Sequence, residues 1–543
     1  MKFFTKIVIL FIFLFIGQSV FSQTKKIVQI KINQADSLVG QIKDGERFSK
    51  LIGKVQLEHD NMLIFCDSAY HYDKQNKMEA LGRVRIKQGD SITITGKKLF
   101  YDGNTKLAEM REDVIYKDDS ITIYTDNLDY DMPERLAYYF DGGKVVDKEN
   151  VLNSKKGYYD LNKRFVSFKD SAVLVTPESV IKSDTLQYDV NTDIAFFRGP
   201  TEILKKDGTK LLATKGKYFT RIEKSEIEEG VIEFNDQILE GDKLDFDEVE
   251  KFYSSTGHAK LINVKDEVVI TGDYGKYWAT DSITKVYGHA LLKKAFNNDT
   301  LYLSADTLIS ITSPNPAKKL LLAYNNVKVY NTSLQGKADS LAYHVADSML
   351  FFFNDPIIWN EDSQITADSI NLTLSNGDVE QMDLNQNAFI VSKDSVVEKF
   401  NQIKGREMIT YFKDNSIKQV DVFGNAESVF FVIENDSVFF GMNKIICSDM
   451  RILFKEGEMD RIKTYVKPDA TLTPPHELDD ADTQLEKFVW RDDERPTKEE
   501  VIKGINKKPK AKEEKKDSEI PRKKSTAIVK KQTMKRGASR KGK

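Results

Sequence analysis

Six histidines, two cysteines and a dense set of aspartates are the residues of this 543-residue chain whose types could do chemistry. His59, His71, His258, His289, His344 and His476 show neither His-x-x-x-His nor His-Glu-x-x-His spacing, so a helix-borne metal site is not expected. His258 and His289 fall in the same slot of neighbouring repeats and stand one above the other in that reading. Two thiols, Cys66 and Cys447, cannot make a disulfide framework and read as isolated buried groups, each ending an apolar strand just before the Asp of a unit, near opposite ends of the body. No Gly-x-Ser-x-Gly elbow, phosphate-cradling glycine loop or Cys-His arrangement appears. Acidic pairs such as Glu228-Glu229 and Asp479-Asp480 read as solvated surface rather than a glycosidase dyad. Asp102, Asp131, Asp160 and Asp189 recur at one register and would stack as carboxylates; because neighbouring corners carry Lys and Asn, the reading preferred is turn formation. The expectation is a protein that is not an enzyme and takes no cofactor or metal.

What positions these residues is a repeat. Tyr72-Asp73, Tyr101-Asp102, Tyr130-Asp131, Tyr159-Asp160 and Tyr188-Asp189 are each 29 residues apart, and Phe246-Asp247 lies two further periods on. The full unit is clearest in Asp126-Asn-Leu128-Asp-Tyr130, Asp184-Thr-Leu186-Gln-Tyr188 and Asp242-Lys-Leu244-Asp-Phe246; looser copies begin at Asp306, Asp339, Asp368 and Asp449. Upstream, an Asp-Ser corner opens an alternating run, as in Ser91-Ile-Thr-Ile94 and Ser120-Ile-Thr-Ile123. Downstream, Gly opens another, as in Gly53-Lys-Val55, Gly82-Arg-Val84, Gly257-His-Ala259 and Gly288-His-Ala290. Alternation with period two is the mark of strands with one buried face, and Leu186 and Tyr188, two apart, share that face. A unit this small must stack on its neighbours. With one strand layer per unit at ~4.8 Å, about twelve units would give a body roughly 60 Å long with open strand edges at both ends. The expected fold is all-β, an elongated repeat β-jellyroll or solenoid-like open trough.

The ends differ from the body. Residues 1–22, with Lys2, Lys6 and the apolar run Ile7–Ile16, read as a cleavable secretory signal, and the run is too short to span a bilayer. Residues 23–49 are a lead-in, 50–473 the repeated body and 474–496 a linker in which Leu485, Phe488, Val489 and Trp490 could dock a short helix on the last strand. Residues 497–543 carry 18 Lys+Arg against 6 Asp+Glu and read as a disordered basic tail. The formal charge of −3 therefore hides a tail at +12 and, with Lys2 and Lys6 set aside, a body at −17. Such a tail suits anionic lipid or the chain's own acidic body, and no nucleic-acid partner is expected.

The order Gly-x-Val-x-Val, short turn, alternating strand, then Ala-Asp-x-Leu-x-Tyr recurs from Gly82–Ile86 with Ser91–Ile94 to Ala305-Asp306-Thr-Leu308, Ala338-Asp339-Ser-Leu341-Ala-Tyr343 and Ala367-Asp368-Ser-Ile370. In this the chain resembles the OstA/LptA family of periplasmic lipopolysaccharide-transport proteins over most of 50–473. The resemblance implies a β-jellyroll trough lined by acyl-binding side chains, end-to-end joining by strand addition, and partners among inner- and outer-membrane lipopolysaccharide-transport components, with self-association. This chain is several times longer than the family's smallest members and carries the basic tail. The inward positions of the repeat, Ile94, Ile123, Leu128, Tyr130, Ile181, Leu186, Tyr188, Leu244, Phe246, Leu308 and Leu341, are the candidate lipid-binding residues, since each buried methylene is worth about 0.8 kcal/mol. The rival reading packs the same residues into a closed core, in a secreted structural or adhesive solenoid with no cargo. A polysaccharide-processing β-helix would need an outward Asp or Asn ladder with a basic helper, and none is found. The expectation is a periplasmic bridge carrying lipopolysaccharide or a related glycolipid toward the outer membrane.

Overall fold

The computed structural model describes residues 28–504 apart from residues 44, 235, 297–298, 376–377, 415, 435–437 and 457. The leader reading on residues 1–22 and most of the basic tail lie outside them. Among the described residues no helix is long and apolar enough to cross a membrane.

The body is nearly all β. Most strands are antiparallel to the strands before and after them, as in Lys77–Gln88, Ile92–Asp102, Leu107–Lys117 and Thr122–Asp131. One 29-residue unit is thus a hairpin of two strands, which corrects the expectation of one layer per unit and doubles the rise of each. Along Lys77–Gln88 the buried residues are Met78, Ala80, Val84 and Ile86; the alternation breaks once, between Leu81 and Val84, where the register shifts. The same slip recurs in most strand pairs, so most strands are bent into two arms. In places the arms are separate strands, as Leu136–Tyr139 and Gly143–Asp147.

At several bends the turn is written in a Gly-x pair. Gly82 and Arg83 both take positive φ, +73° and +40°, and Gly257 and His258 take +75° and +47°. This left-handed pair is a bulge that only glycine enters without steric cost. A Cβ at Gly82 or Gly257 would also run into Asp67 or Asp242 of the preceding strand. That aspartate opens the Leu-x-Tyr unit and bonds the residue after the glycine: Arg83 Nη2 donates to Asp67 at 2.7 Å, and His258 and His289 Nδ1 lie 2.9 Å from Asp242 and Asp273. The Asp242 carboxylate holds the exposed His258 above its usual pKa. The aspartates that close the unit form turns, as expected: Asp102 accepts from the Asn104 N–H, Asp160 from Asn162 and Lys163, and Asp189 from Asn191.

Two expectations shift in detail. Tyr72 is not the inward residue of its unit: His71 pairs with Met78 and is buried, as Tyr101 is in the next unit, so this copy is displaced by one residue. Cys66 and Cys447 lie mid-strand at bends rather than at strand ends, buried as free thiols in separate cores. Burial pushes the Cys66 thiol up to about 11.

Both ends of the ladder are open among the described residues. Lys31–Gln34 and Ser37–Lys43 pair only with Glu46–His59 and leave Leu38, Val39 and Ile42 exposed; Glu458–Tyr465 and Asp469–Thr473 pair only with Val438–Lys455.

The segment read as a linker is instead a strap on the outer face of one arm. It does not dock a helix on the last strand but runs back across earlier ones. Gln402 donates to the Thr483 carbonyl and accepts from the Leu485 N–H, both at 2.8 Å. Gln364 does the same for the Val489 carbonyl (2.8 Å) and the Arg491 N–H (2.6 Å), and Gln335 accepts from Arg495 Nε at 2.8 Å. Leu485 is buried in an outer cluster with Phe389, Val391, Val429 and Phe431. A short helix, Lys498–Lys503, closes the strap with a Thr497–Glu500 capping box, and it lies on Ile283–Phe296, Asp299–Ile311 and Leu320–Tyr330.

Candidate functional site

The inward position nearest one tip of the bent strands forms a single row in direct register: Tyr101, Ala108, Tyr130, Ala137, Tyr159, Val166, Tyr188, Ala195, Tyr218. One tyrosine per unit alternates with a small residue that leaves it room. The arm carrying this row is called here the tyrosine arm. Each hydroxyl crosses the mouth of the bent strands to the tip of the opposite arm. His59 Nε2–H donates to the Val28 carbonyl (2.9 Å), so Nδ1 accepts from the Tyr101 hydroxyl (2.6 Å). Tyr130 donates to Gln88 (2.7 Å), Tyr159 to Asp118 (2.9 Å) and Tyr188 to Asp147 (2.8 Å), while Tyr218 and Ser179 share a 2.9 Å bond. The partners lie 39 to 42 residues apart in sequence every time.

Three of these bonds are buried, and those of Tyr130 and Tyr159 are partly so. Burial, then the hydroxyl of Tyr188, oppose each other at Asp147, and burial prevails to hold its carboxyl above the usual range; the tyrosines are pushed up mainly by burial. Where the sequence has Phe246 in place of tyrosine, Lys205 reaches across, 3.7 Å from the ring centroid and 2.8 Å from Glu248. Burial pushes that ammonium down to about 8. One step on, Phe234 stacks on Tyr277 with ring centroids 4.9 Å apart. Behind this seam a single apolar core runs from Ile30 to Tyr277.

The row then fails. Tyr277 is followed by Thr284, Ser310 and Leu321, so two small residues stand side by side where a tyrosine should follow. Among the described residues no hydrogen bond joins the tip at Ser310 to the opposite tip at Asn263; Asn263 bonds Asp266 instead. A mostly apolar slot with a cavity volume of about 130 Å³ enters the interior there between Leu261, Ile270, Leu292, Leu303, Leu341 and Leu350. It lies where the first core gives way to a second, Ile270 to Ile452, whose rim carries partly buried Leu301, Leu321, Tyr343 and Leu374. The next contact of the two tips is the bond from Ser416 to Glu361, 2.8 Å.

The structure places all eleven candidate residues on the inner face, and each is at most 2% exposed. Tyr130, Tyr188 and Phe246 belong to the seam; Ile94, Ile123, Leu128, Ile181, Leu186 and Leu244 lie in the closed core behind it; Leu308 lies in the second core. Leu341 lines the slot. The trough expected along the body is therefore packed shut over its first half and reduced to a slot near the middle. Sequence reasoning missed Thr284 and Ser310, although Leu308-Ile-Ser310 departs visibly from Leu-x-Tyr. Among the described residues no group of three His, Cys, Asp or Glu could hold a metal ion.

Comparison with known families adds one finding. Residues 27–184 match the family model described as OstA-like protein. Over that segment the chain is similar to the OstA-like proteins. No curated protein matches it. The OstA-like segment holds the first sealed units, and the slot lies C-terminal to it.

Proposed function

We propose that this OstA-like chain is a periplasmic lipid-binding bridge that carries lipopolysaccharide or a related glycolipid toward the outer membrane by non-covalent transfer, and that it is not an enzyme. The OstA-like match supports a lipid-transport role in general terms, and the observation that carries the reading is the slot between Leu261 and Leu350. Acyl chains leave water at about 0.8 kcal/mol per methylene, and this is where the described interior admits them. The open edges at Ser37–Lys43 and Glu458–Tyr465 suit addition of a strand from membrane components or a second copy, and the basic tail suits anionic lipid.

The rival reading, a structural solenoid with no cargo, draws support from the sealed core between Leu51 and Tyr277. Purification of the full-length chain from a Gram-negative periplasm, extraction under denaturing conditions and mass spectrometry decide between them. Stoichiometric acylated glycolipid is the expected result. A lipid-free extract from folded, monodisperse protein would overturn the proposal in favour of the solenoid.

A further inference from the structure

The strap rests on a row of side chains in direct register across successive strands: Gln335, Trp359, Gln364, Val391, Gln402 and Val429. Each is the chain neighbour of an inner-core residue and so faces away from the core, yet each is at most 4% exposed, because the strap covers it. Glutamine falls on every second strand of the row. Gln364 and Gln402 each read the strap's backbone, donating to a carbonyl and accepting the N–H two residues on. In the first half the positions on the same face include Val151, Val175, Val180 and Leu204, in register with one another and without glutamine, and Val175 and Leu204 are exposed. The strap is removable: among the described residues every backbone–backbone bond made by residues 474–504 is to another residue of that segment, so side chains hold it and no ladder bond does. It is also on a long lead. Residues 474–482, between the last strand Asp469–Thr473 and the first glutamine anchor, reach about 30 Å when extended. On that last strand the row position is Thr471, which registers through Lys444 and Val429 with Gln402; Gln402 is therefore three strand steps away, about 14 Å. On the other side lies an open edge. Glu458–Tyr465 and Asp469–Thr473 pair only with Val438–Lys455, and Phe440, Ile446, Tyr465, Val466 and Leu472 are exposed around them. An edge with this much apolar surface is a template for a second chain.

We infer that two copies of this chain meet at the C-terminal edge about a two-fold axis and exchange straps, each strap lying on the glutamine row of the other copy. A two-fold axis normal to the outer face turns the second row end for end, so a strap that leaves Asp469–Thr473 away from its own sheet meets the same side chains in the same order. The partner's Gln402 is then four strand steps off, about 19 Å, which the lead also reaches. Exchange keeps every contact between row and strap and adds a covered edge, so the swapped pair forms at little cost. Such a pair is closed at this end and leaves Lys31–Gln34 and Ser37–Lys43 of each copy facing outward. It needs no cargo and stands independently of the lipid-binding reading.

The test uses the full-length chain. Sedimentation velocity is expected to show a dimer whose share rises with protein concentration; a monomer at every concentration overturns the inference. The dimer fraction is then treated with a zero-length carbodiimide, which joins an ammonium to a carboxylate already in contact, and resolved under denaturing conditions. Lys399–Asp480 and Lys337–Glu494 are ion pairs between the sheet and the strap. In exchanged copies these links join two chains, so peptide mapping should find them in the covalent dimer band and not in the monomer band. If they are confined to the monomer band, each strap lies on its own sheet and the inference falls, even where the edges pair. Leu472→Lys, at an exposed position of the edge, should weaken the dimer at least tenfold while the protein stays folded; an undiminished dimer would put the contact elsewhere and overturn the inference as well.

Discussion

Between Tyr101 and Tyr277 the tips of the two arms are joined by six successive cross-mouth contacts and a ring stack, whereas between Ser310 and Leu374 they stand apart over a partly exposed apolar rim. The backbone rule is the same in both regions: antiparallel neighbours, a bulge near the middle of the strand, an inward apolar face. The two regions differ in one row of side chains. Whether such a ladder is a closed solid or an open groove is thus decided by residues at the mouth, since the depth of the core is equally apolar on either side.

The strongest way to break this contrast is Leu186→Asp. If the first half is sealed, an unpaired carboxylate there costs more than about 4 kcal/mol and no folded protein is recovered; a monodisperse variant with a cooperative melt would mean that this interior is open. Next in size is the pair Tyr188→Phe and Tyr343→Phe. The first strips a donor from buried Asp147 and should cost about 1–3 kcal/mol in denaturant unfolding. The second removes a partly buried hydroxyl that no carboxylate among the described residues answers across the mouth and should cost less, about 0.5–1 kcal/mol. Equal losses would remove the distinction between seam and rim.

A smaller effect concerns the strap. Arg491, with Lys337, holds the Glu494 carboxyl down at about 2, below its ordinary 4.5. The unfolded chain therefore binds a proton that the folded one does not. The stabilisation is fully present above pH 4.5 and is lost as pH falls from there toward 2. Discounted for partial exposure it amounts to about 1–2 kcal/mol. Protease cleavage within the strap should accelerate across that window in the wild type, and a Glu494→Gln variant should show no such pH dependence. Smallest of all, His258→Ala removes an ion pair at the solvent-facing side of a bend and should leave the melting curve unchanged.

The repeat, its all-β character and its inward residues were legible because period two and period 29 are both properties of the chain itself. The turn role of Asp102, Asp160 and Asp189 was legible for the same reason: an Asx side chain bonds its own backbone two residues on. The seam was not. A tyrosine and its acceptor 39 to 42 residues away are brought together by the bend and by the offset of successive hairpins, and neither quantity is written in any one unit. An open trough and a closed core use identical inward residues, so the eleven candidates could not separate them. The strap escaped for another reason: proline and acidic composition read as solvated linker, while its attachment depends on Gln335, Gln364 and Gln402, which in sequence are ordinary strand residues.

Those three glutamines also have a mechanical meaning. A ladder whose strands touch only their neighbours peels apart one hairpin at a time when its ends are pulled, each step breaking few bonds. Because the strap spans from the strand Val438–Lys455 back to Ile283–Phe296, tension applied between residues 28 and 504 meets its clamps before it reaches the last hairpins. The C-terminal half is thereby the tougher segment of a strained tether, and rupture would begin among the unstrapped strands near the N-terminus.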